Sequence, residues 1–154
     1  MYTANGNILD LAEDGHFDFV IHGCNCFNTM GAGLALQIKT RYPQVYEADC
    51  RTKCGDKTKL GTYSFATVGT AFTIFNLYTQ YGFANNHRKD VFEYEHFENG
   101  MRSLVNTWGK GRYALPMIGC GLAGGDMGRI LNVMDSINQQ IEDMGGTLTL
   151  VIYP

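Results

Sequence analysis

Two clusters of glycine, at positions 23–33 and 119–125, constrain this chain most strongly. Each follows a short apolar run and precedes a segment with helical hydrophobic spacing. A connection of that kind turns tightly. With no Cβ in the way, it can also bring backbone N–H groups and the positive end of a helix up to a ligand. The chain has 19 glycines but only 3 prolines, so the excess is not that of a flexible low-complexity segment. In the second cluster Gly119, Gly121, Gly124 and Gly125 fall within seven residues.

The rest of the pattern alternates between strand and helix. Phe17 to His22 is a short apolar run that predicts a buried strand. Leu34 to Cys50 carries Leu34, Ile38, Tyr42, Val45 and Tyr46 at helical spacing, with Pro43 dividing it into two pieces. Residues 61–67 and 71–79 predict two strands joined at Gly69-Thr70 by a hairpin-like turn, and 82–90 reads as a loop. Tyr94 to Trp108 predicts an amphipathic helix stopped by Gly109 and Gly111, followed by a short strand from Arg112 to Pro116. Residues 127–144 predict a helix with Ile130, Val133, Met134, Ile137 and Ile141 on one face, ended by Gly145-Gly146 before a last strand, 147–153. Alternating strands and helices over 154 residues predict a single α/β domain, three layers deep, on a mixed, largely parallel sheet. In such a sheet both glycine loops lie at the carboxyl ends of strands, where α/β proteins bind ligands.

Charge and composition narrow the possibilities. Lys plus Arg is 12 and Asp plus Glu is 15, a formal net charge of −3, which argues against a general nucleic-acid binder. It leaves room for a small anion held by backbone N–H groups. Neither glycine cluster is a phosphate-binding loop with Gly-Lys-Ser/Thr, and neither places the Rossmann Gly-x-Gly-x-x-Gly in the chain's first strand–helix unit, although Gly119, Gly121 and Gly124 have that spacing in a later one, so nucleotide hydrolysis of that type and hydride transfer are disfavoured. The five cysteines, Cys24, Cys26, Cys50, Cys54 and Cys120, are odd in number and do not read as a disulfide framework. Their spacings are not those of a zinc ribbon, so no metal is expected, nor any cofactor. No apolar run reaches the roughly 18–20 residues of a membrane span. A cytoplasmic monomer with reduced thiols, making no membrane contact, is the expectation.

The segments Val20-Ile-His-Gly-Cys-Asn-Cys26, Gly31-Ala-Gly-Leu-Ala35 and Leu115-Pro-Met-Ile-Gly-Cys-Gly-Leu-Ala-Gly-Gly-Asp126 together resemble a macro domain. The resemblance is to the branch that holds the ADP-ribose-1″-phosphate phosphatases and the terminal ADP-ribose protein glycohydrolase. Gly6-Asn-Ile-Leu9 resembles the same family's Gly-Asp-Ile/Leu turn. It spans nearly the whole chain and implies an α/β/α domain that binds ADP-ribose across the carboxyl edge of its sheet. By that resemblance Asn7, Ile8 and Asp18 would line the adenine end, although Asn7 lacks the charge of the family's usual Asp, and Asp18 could instead cap its own strand turn. Asn25 would orient the distal ribose, or form an Asx turn within its loop. Gly31, Ala32 and Gly33 would approach the ribose and a phosphate, and Gly119, Cys120, Gly121, Leu122, Ala123 and Gly124 would wrap the diphosphate. Tyr81 or Phe83 could stack on a ring or be ordinary rim aromatics.

His22 and Asp126 are the expected catalytic pair. His22 sits at a strand end with an imidazole suited to proton transfer, or is a core histidine bonded to its neighbours. Asp126 would activate a water, and directly before a helix it is also an ideal N-cap. The glycohydrolase carries a lysine where this chain has Gln80; a glutamine amide cannot replace a nucleophilic amine, although it can bond the ligand. The expected activity is removal of the terminal phosphate of ADP-ribose 1″-phosphate, with ADP-ribose or that phosphomonoester as the bound partner. The alternatives are release of ADP-ribose from a modified protein or nucleic acid, and a non-catalytic reader that binds ADP-ribosylated macromolecules.

Overall fold

All seven residues from Phe72 to Tyr78 are buried, and they form the strand that anchors the sheet. The computed structural model describes residues 1–82, 92–119 and 126–153. Within them the strands are β1 (Tyr2–Asn5), β2 (Phe19–Cys24), β3 (Tyr63–Val68), β4 (Phe72–Tyr78), β5 (Arg112–Leu115) and β6 (Thr147–Ile152). The helices are α1 (Ile8–Glu13), α2 (Gly33–Arg41), α3 (Pro43–Cys50), α4 (Tyr94–Trp108) and α5 (Met127–Asp143), with a single 3₁₀ turn at Lys57–Lys59. The strand order is β1-β6-β5-β2-β4-β3, and every pair is parallel except β3 with β4. None of the described helices is long and apolar enough to cross a membrane.

Side chains alternate between the two faces of the sheet, as the pleat requires. Ile21, Phe75, Leu77, Tyr113, Leu115, Leu148 and Leu150 pack with Phe97, Met101, Leu104 and Val105 of α4 and with Ile130, Met134, Ile137 and Ile141 of α5. Val20, Cys24, Ile74, Tyr78, Ala114 and Val151 pack on the other face with Ile8 and Leu9 of α1, Ile38 of α2 and Val45 of α3. The result is the three-layer α/β/α arrangement expected from the sequence.

Two features of this topology open a crevice. First, α2 leaves β2 for one face, while α5 follows β5 on the other, although β2 and β5 are neighbours. This is a topological switch point, where the chain departs in opposite directions from adjacent strands. Second, β2 and β5 pair only at Phe19↔Tyr113 and Val20↔Ala114, whereas β2 stays paired with β4 as far as Cys24↔Tyr78. From His22 onward the β5 side of β2 is open.

Sequence periodicity located every described strand and α-helix but the first two. β1 is a four-residue edge strand, mostly exposed, and α1 is only six residues long, so neither has room for a period to show. What starts α1 is Asn7, whose Oδ1 accepts from Leu9 N at 2.9 Å and Asp10 N at 3.2 Å.

The pair Gly145-Gly146 does two jobs. Gly145 has φ +82°, the left-handed turn that ends α5. Gly146 provides close approach instead: a Cβ there would lie 2.5 Å from Gly111 O. Gly146→Ala must push apart the entries to β5 and β6, and we expect a loss of about 1–3 kcal/mol in urea unfolding.

Candidate functional site

The loop after β2 is tied into the body of the protein by its carbonyl groups. Cys26 O accepts from Gly55 N at 2.7 Å and from the Lys59 ammonium at 3.1 Å. Phe27 O accepts from Cys54 Sγ, and Asn28 O from the Tyr46 hydroxyl. Lys59 also donates to Asn28 Oδ1 at 2.8 Å, and its charge lies 4.6 Å from the centre of the Tyr78 ring. Asn25 forms the Asx turn anticipated as one of its two readings: its Oδ1 accepts from Phe27 N at 2.8 Å, and its Nδ2 donates to Thr29 Oγ1 at 2.7 Å. Asn28 and Met30 have φ of 56° and 43°, so the loop holds two non-glycine residues in left-handed conformations. The clamps from residues 46–59 account for how it is kept there.

Beyond the loop, Gly33 opens α2 with φ +57°. Its N-cap, Ala32, has no side-chain oxygen, so the first N–H groups of the helix are not capped from within. Ala32, Gly33, Leu34 and Ala35 form one wall of a cleft of about 330 Å³. Opposite and beneath them lie His22 and Gly23 from β2, Thr79 and Gln80 after β4, and Pro116, Ile118 and Gly119 after β5. The cleft therefore occupies the switch point between β2 and β5.

His22 has the surroundings of a core histidine. It is only 2% exposed, and its Nε2 lies 2.6 Å from Asn76 Oδ1. Asn76 Nδ2 is already donating to Val45 O and Ser64 Oγ, so Oδ1 must accept and His22 Nε2 must carry the hydrogen. Cys24 Sγ lies 3.8 Å from Nδ1. Burial, partly opposed by the bond to Asn76, lowers the pKa of His22 to about 4, so the ring is neutral near pH 7. Burial also pushes the Cys24 thiol well up. Next to them, the Tyr78 hydroxyl donates to Asp49 Oδ1 at 2.7 Å, and burial raises the Asp49 carboxyl.

The other expected residues divide by position. Asn7 and Ile8 stand at the carboxyl end of β1, and Asn7 Nδ2 donates to Gln37 Oε1 of α2 at 3.1 Å, so this corner adjoins the cleft-bearing helix. Gly31 lies in the clamped loop. Gln80 lines the cleft, but its amide donates to Gly82 O at 2.8 Å. Tyr81 packs edge-on against Phe27, and its hydroxyl donates to Gly55 O, which makes it part of the loop clamp. Phe83, Cys120, Gly121, Leu122, Ala123 and Gly124 lie outside the described residues.

Asp18 does not join the site. It precedes β2, at the amino edge of the sheet, about 17 Å along the strand from Gly23. There it holds Arg112: Oδ2 accepts from Arg112 N at 2.8 Å and Oδ1 from the guanidinium at 3.0 Å, and that guanidinium lowers the Asp18 carboxyl pKa. The sequence placed Asp18 correctly beside a strand, but at the wrong end of it.

Asp126 caps α5, with Oδ1 accepting from Arg129 N at 3.1 Å. Residues 92–94 hold both flanks of the second glycine loop. A Cβ on Gly119, which has φ +81°, would lie 2.4 Å from the Phe92 ring. At the other flank the Tyr94 hydroxyl accepts from Asp126 N at 2.6 Å, while Arg129 stacks 4.0 Å over the Tyr94 ring. Sequence spacing singled out neither Phe92 nor Tyr94 for this role, nor Thr79 for the cleft. They meet only through the order of the strands.

This architecture is the macrodomain fold. The chain aligns over 99% of its length with the macrodomain of Mycobacterium tuberculosis DarG, covering 97% of that chain with TM-score 0.71 and 22% identity. It aligns over 100% of its length with Thermosipho africanus DarTG in complex with ADP-ribose, covering 42% of that chain with TM-score 0.72 and 18% identity. A Trypanosoma brucei macrodomain in complex with ADP aligns over 98% of this chain and 61% of its own, with TM-score 0.69 and 12% identity. No family model matches the sequence. The chain is 36% identical over 147 residues to an uncharacterised 17.5 kDa protein of the tk–vs intergenic region of Enterobacteria phage T4, covering 89% of each, and it belongs to that protein's family.

The state of His22 makes stability depend on pH. The unfolded chain protonates this ring below about pH 6.5, whereas the folded one holds it neutral down to about 4. Between these values the unfolded state binds more protons, so stability falls as the pH falls, by on the order of 3 kcal/mol over the interval. The raised Asp49 carboxyl works in the opposite sense and offsets part of the loss at the acid end. Urea midpoints measured from pH 7 to 4.5 should decline, and the decline should flatten in His22→Gln.

Proposed function

We propose that this chain binds ADP-ribose in the switch-point cleft and hydrolyses the terminal phosphate of ADP-ribose 1″-phosphate. The observation that carries the reading is the uncapped start of α2 opening onto a cleft floored by Gly23 and Gly119. A diphosphate supplies the anionic oxygens that free N–H groups and the positive end of a helix dipole attract. The ADP-ribose found with the Thermosipho africanus relative supports the choice of ligand.

The sheet supplies a scale for the rest of the molecule. β1 and β2 are three strand spacings apart, roughly 14 Å, so an adenine at Asn7 and Ile8 and a diphosphate at α2 lie within reach of one extended nucleotide. The distal ribose then falls near Asn25, Gly31 and Gln80.

In this reading Asp126 is the general base. Its carboxylate takes a proton from a water whose oxygen attacks the terminal phosphorus. The new P–O bond forms as the bond to the C1″ oxygen breaks, and that oxygen leaves as the hydroxyl of ADP-ribose by taking a proton from solvent, to which Asp126 later returns the one it took. Backbone N–H groups stabilise the charge that develops on the phosphoryl oxygens. His22, neutral and bonded to Asn76, supports the floor of the cleft at Gly23 rather than exchanging protons with the substrate. Gln80 offers no amine, so no covalent lysyl–sugar intermediate forms at this position.

Asp126 has two roles, and Asp126→Asn separates them: asparagine caps a helix about as well as aspartate but cannot act as a base. Phosphate release from ADP-ribose 1″-phosphate should fall by about 100-fold or more in Asp126→Asn, with the unfolding midpoint and ADP-ribose affinity by calorimetry retained. Tight ADP-ribose binding by the wild type with no phosphate release would instead favour a reader or a glycosidic hydrolase, to be assayed on ADP-ribosylated protein and DNA.

A further inference from the structure

We propose that the hydroxyl of Thr79 is a ligand-binding group of the cleft, held ready for an oxygen of the sugar or phosphate at the reacting end of the bound molecule. The proposal rests on the ADP-ribose reading above and adds to it a residue outside the glycine loops.

The backbone of Thr79 is fixed on both sides. Its N–H donates to Cys24 O at 3.1 Å, carrying the β2–β4 ladder one residue further, and its carbonyl accepts from Glu93 N at 2.9 Å. The side chain is fully buried, yet among the described residues its Oγ1 has no hydrogen-bond partner. The polar side chains around it in sequence are satisfied: Asn76 by His22, Val45 O and Ser64, Tyr78 by Asp49 and Ser64, Gln80 by Gly82 O. A buried hydroxyl left unpaired destabilises the empty protein, and valine would fill the same space without that penalty.

The direction of the hydroxyl supplies the second half of the argument. A Cβ added at Gly23 would stand 2.9 Å from Thr79 Oγ1 and 3.0 Å from Ile118 Cγ2. Oγ1 therefore points toward Gly23, on the floor of the cleft that Gly23, Thr79 and Ile118 all line. With no side chain at 23, only the backbone of β2 packs against the hydroxyl. A ligand oxygen that reaches it shares the cleft with the uncapped start of α2.

The test compares wild type, Thr79→Val and Thr79→Ser by calorimetry with free ADP-ribose and by urea unfolding without ligand. Thr79→Val should bind about fivefold or more weakly, while its unfolding midpoint without ligand stays level or rises. Thr79→Ser, which keeps the hydroxyl, should bind within about twofold of wild type. The opposed changes in affinity and stability are what a purely structural threonine would not produce. Equal affinity of Thr79→Val and wild type overturns the role of Thr79 and leaves the ADP-ribose reading standing. A lowered midpoint in ligand-free Thr79→Val shows that the hydroxyl already has a partner, and also overturns it. No binding of ADP-ribose by the wild type overturns both.

Discussion

The early end of the ladder between β2 and β5 is the constraint on which the site depends. After Val20↔Ala114 the two strands share no further pairing, and the chain leaves them for opposite faces of the sheet. Without that parting, the carboxyl edge would be a continuous row of paired strands with no depth. With it, Gly23, Thr79, Ile118 and Gly119 become the floor of a cleft, and α2 becomes its wall. The glycines matter because the parting is narrow: Cβ atoms at Gly23 and Gly119 would meet Thr79, Ile118 and the Phe92 ring.

Beneath the cleft the protein carries an unusually polar layer for a sheet interior. His22, Asn76, Tyr78, Asp49 and Lys59 are all buried. Buried polar groups are tolerated when their partners are fixed, and a satisfied network then holds the parts it joins in one geometry. Here Lys59 and its neighbours hold the carbonyls of the β2–α2 loop, and His22 with Asn76 bridges the adjacent strands below it. In the proposed reading the loop meets an anion with its N–H groups, and it gains from having its carbonyls fastened elsewhere before the ligand arrives. Among the described residues, Asp49 Oδ2 within this network and Thr79 Oγ1 beside it lack a partner, and of these two Thr79 lines the cleft.

The α/β alternation was legible because its strands and long helices are half or fully buried, and burial writes a period into the sequence. Pro43 marked the break between α2 and α3, and Gly145 the end of α5. β1 and α1 were not legible, since an exposed four-residue edge strand and a six-residue helix are too short for a period. The site was legible where it is local: Ala32 and Gly33 at the head of α2, and Gly119 after β5. Asp18 shows the limit of the same reasoning. Its neighbourhood in sequence is that of the β2 loop, but six residues of extended strand separate the two ends of β2, and the pairing with Arg112 belongs to the far edge.

What the sequence determined by itself was the local chemistry of each connection: tight, glycine-rich turns from strand to helix, with N–H groups to offer and no phosphate-loop lysine. Such features depend only on residues a few positions apart. Strand order, and with it the meeting of Gly23, Thr79 and Ile118, was decided only in the tertiary structure. Thr79 reads in sequence as the last residue of a strand, and Tyr94 as the first of a helix. Their roles come from partners far along the chain, because a cleft between parallel strands is built from segments whose contacts are set by crossover connections and not by spacing.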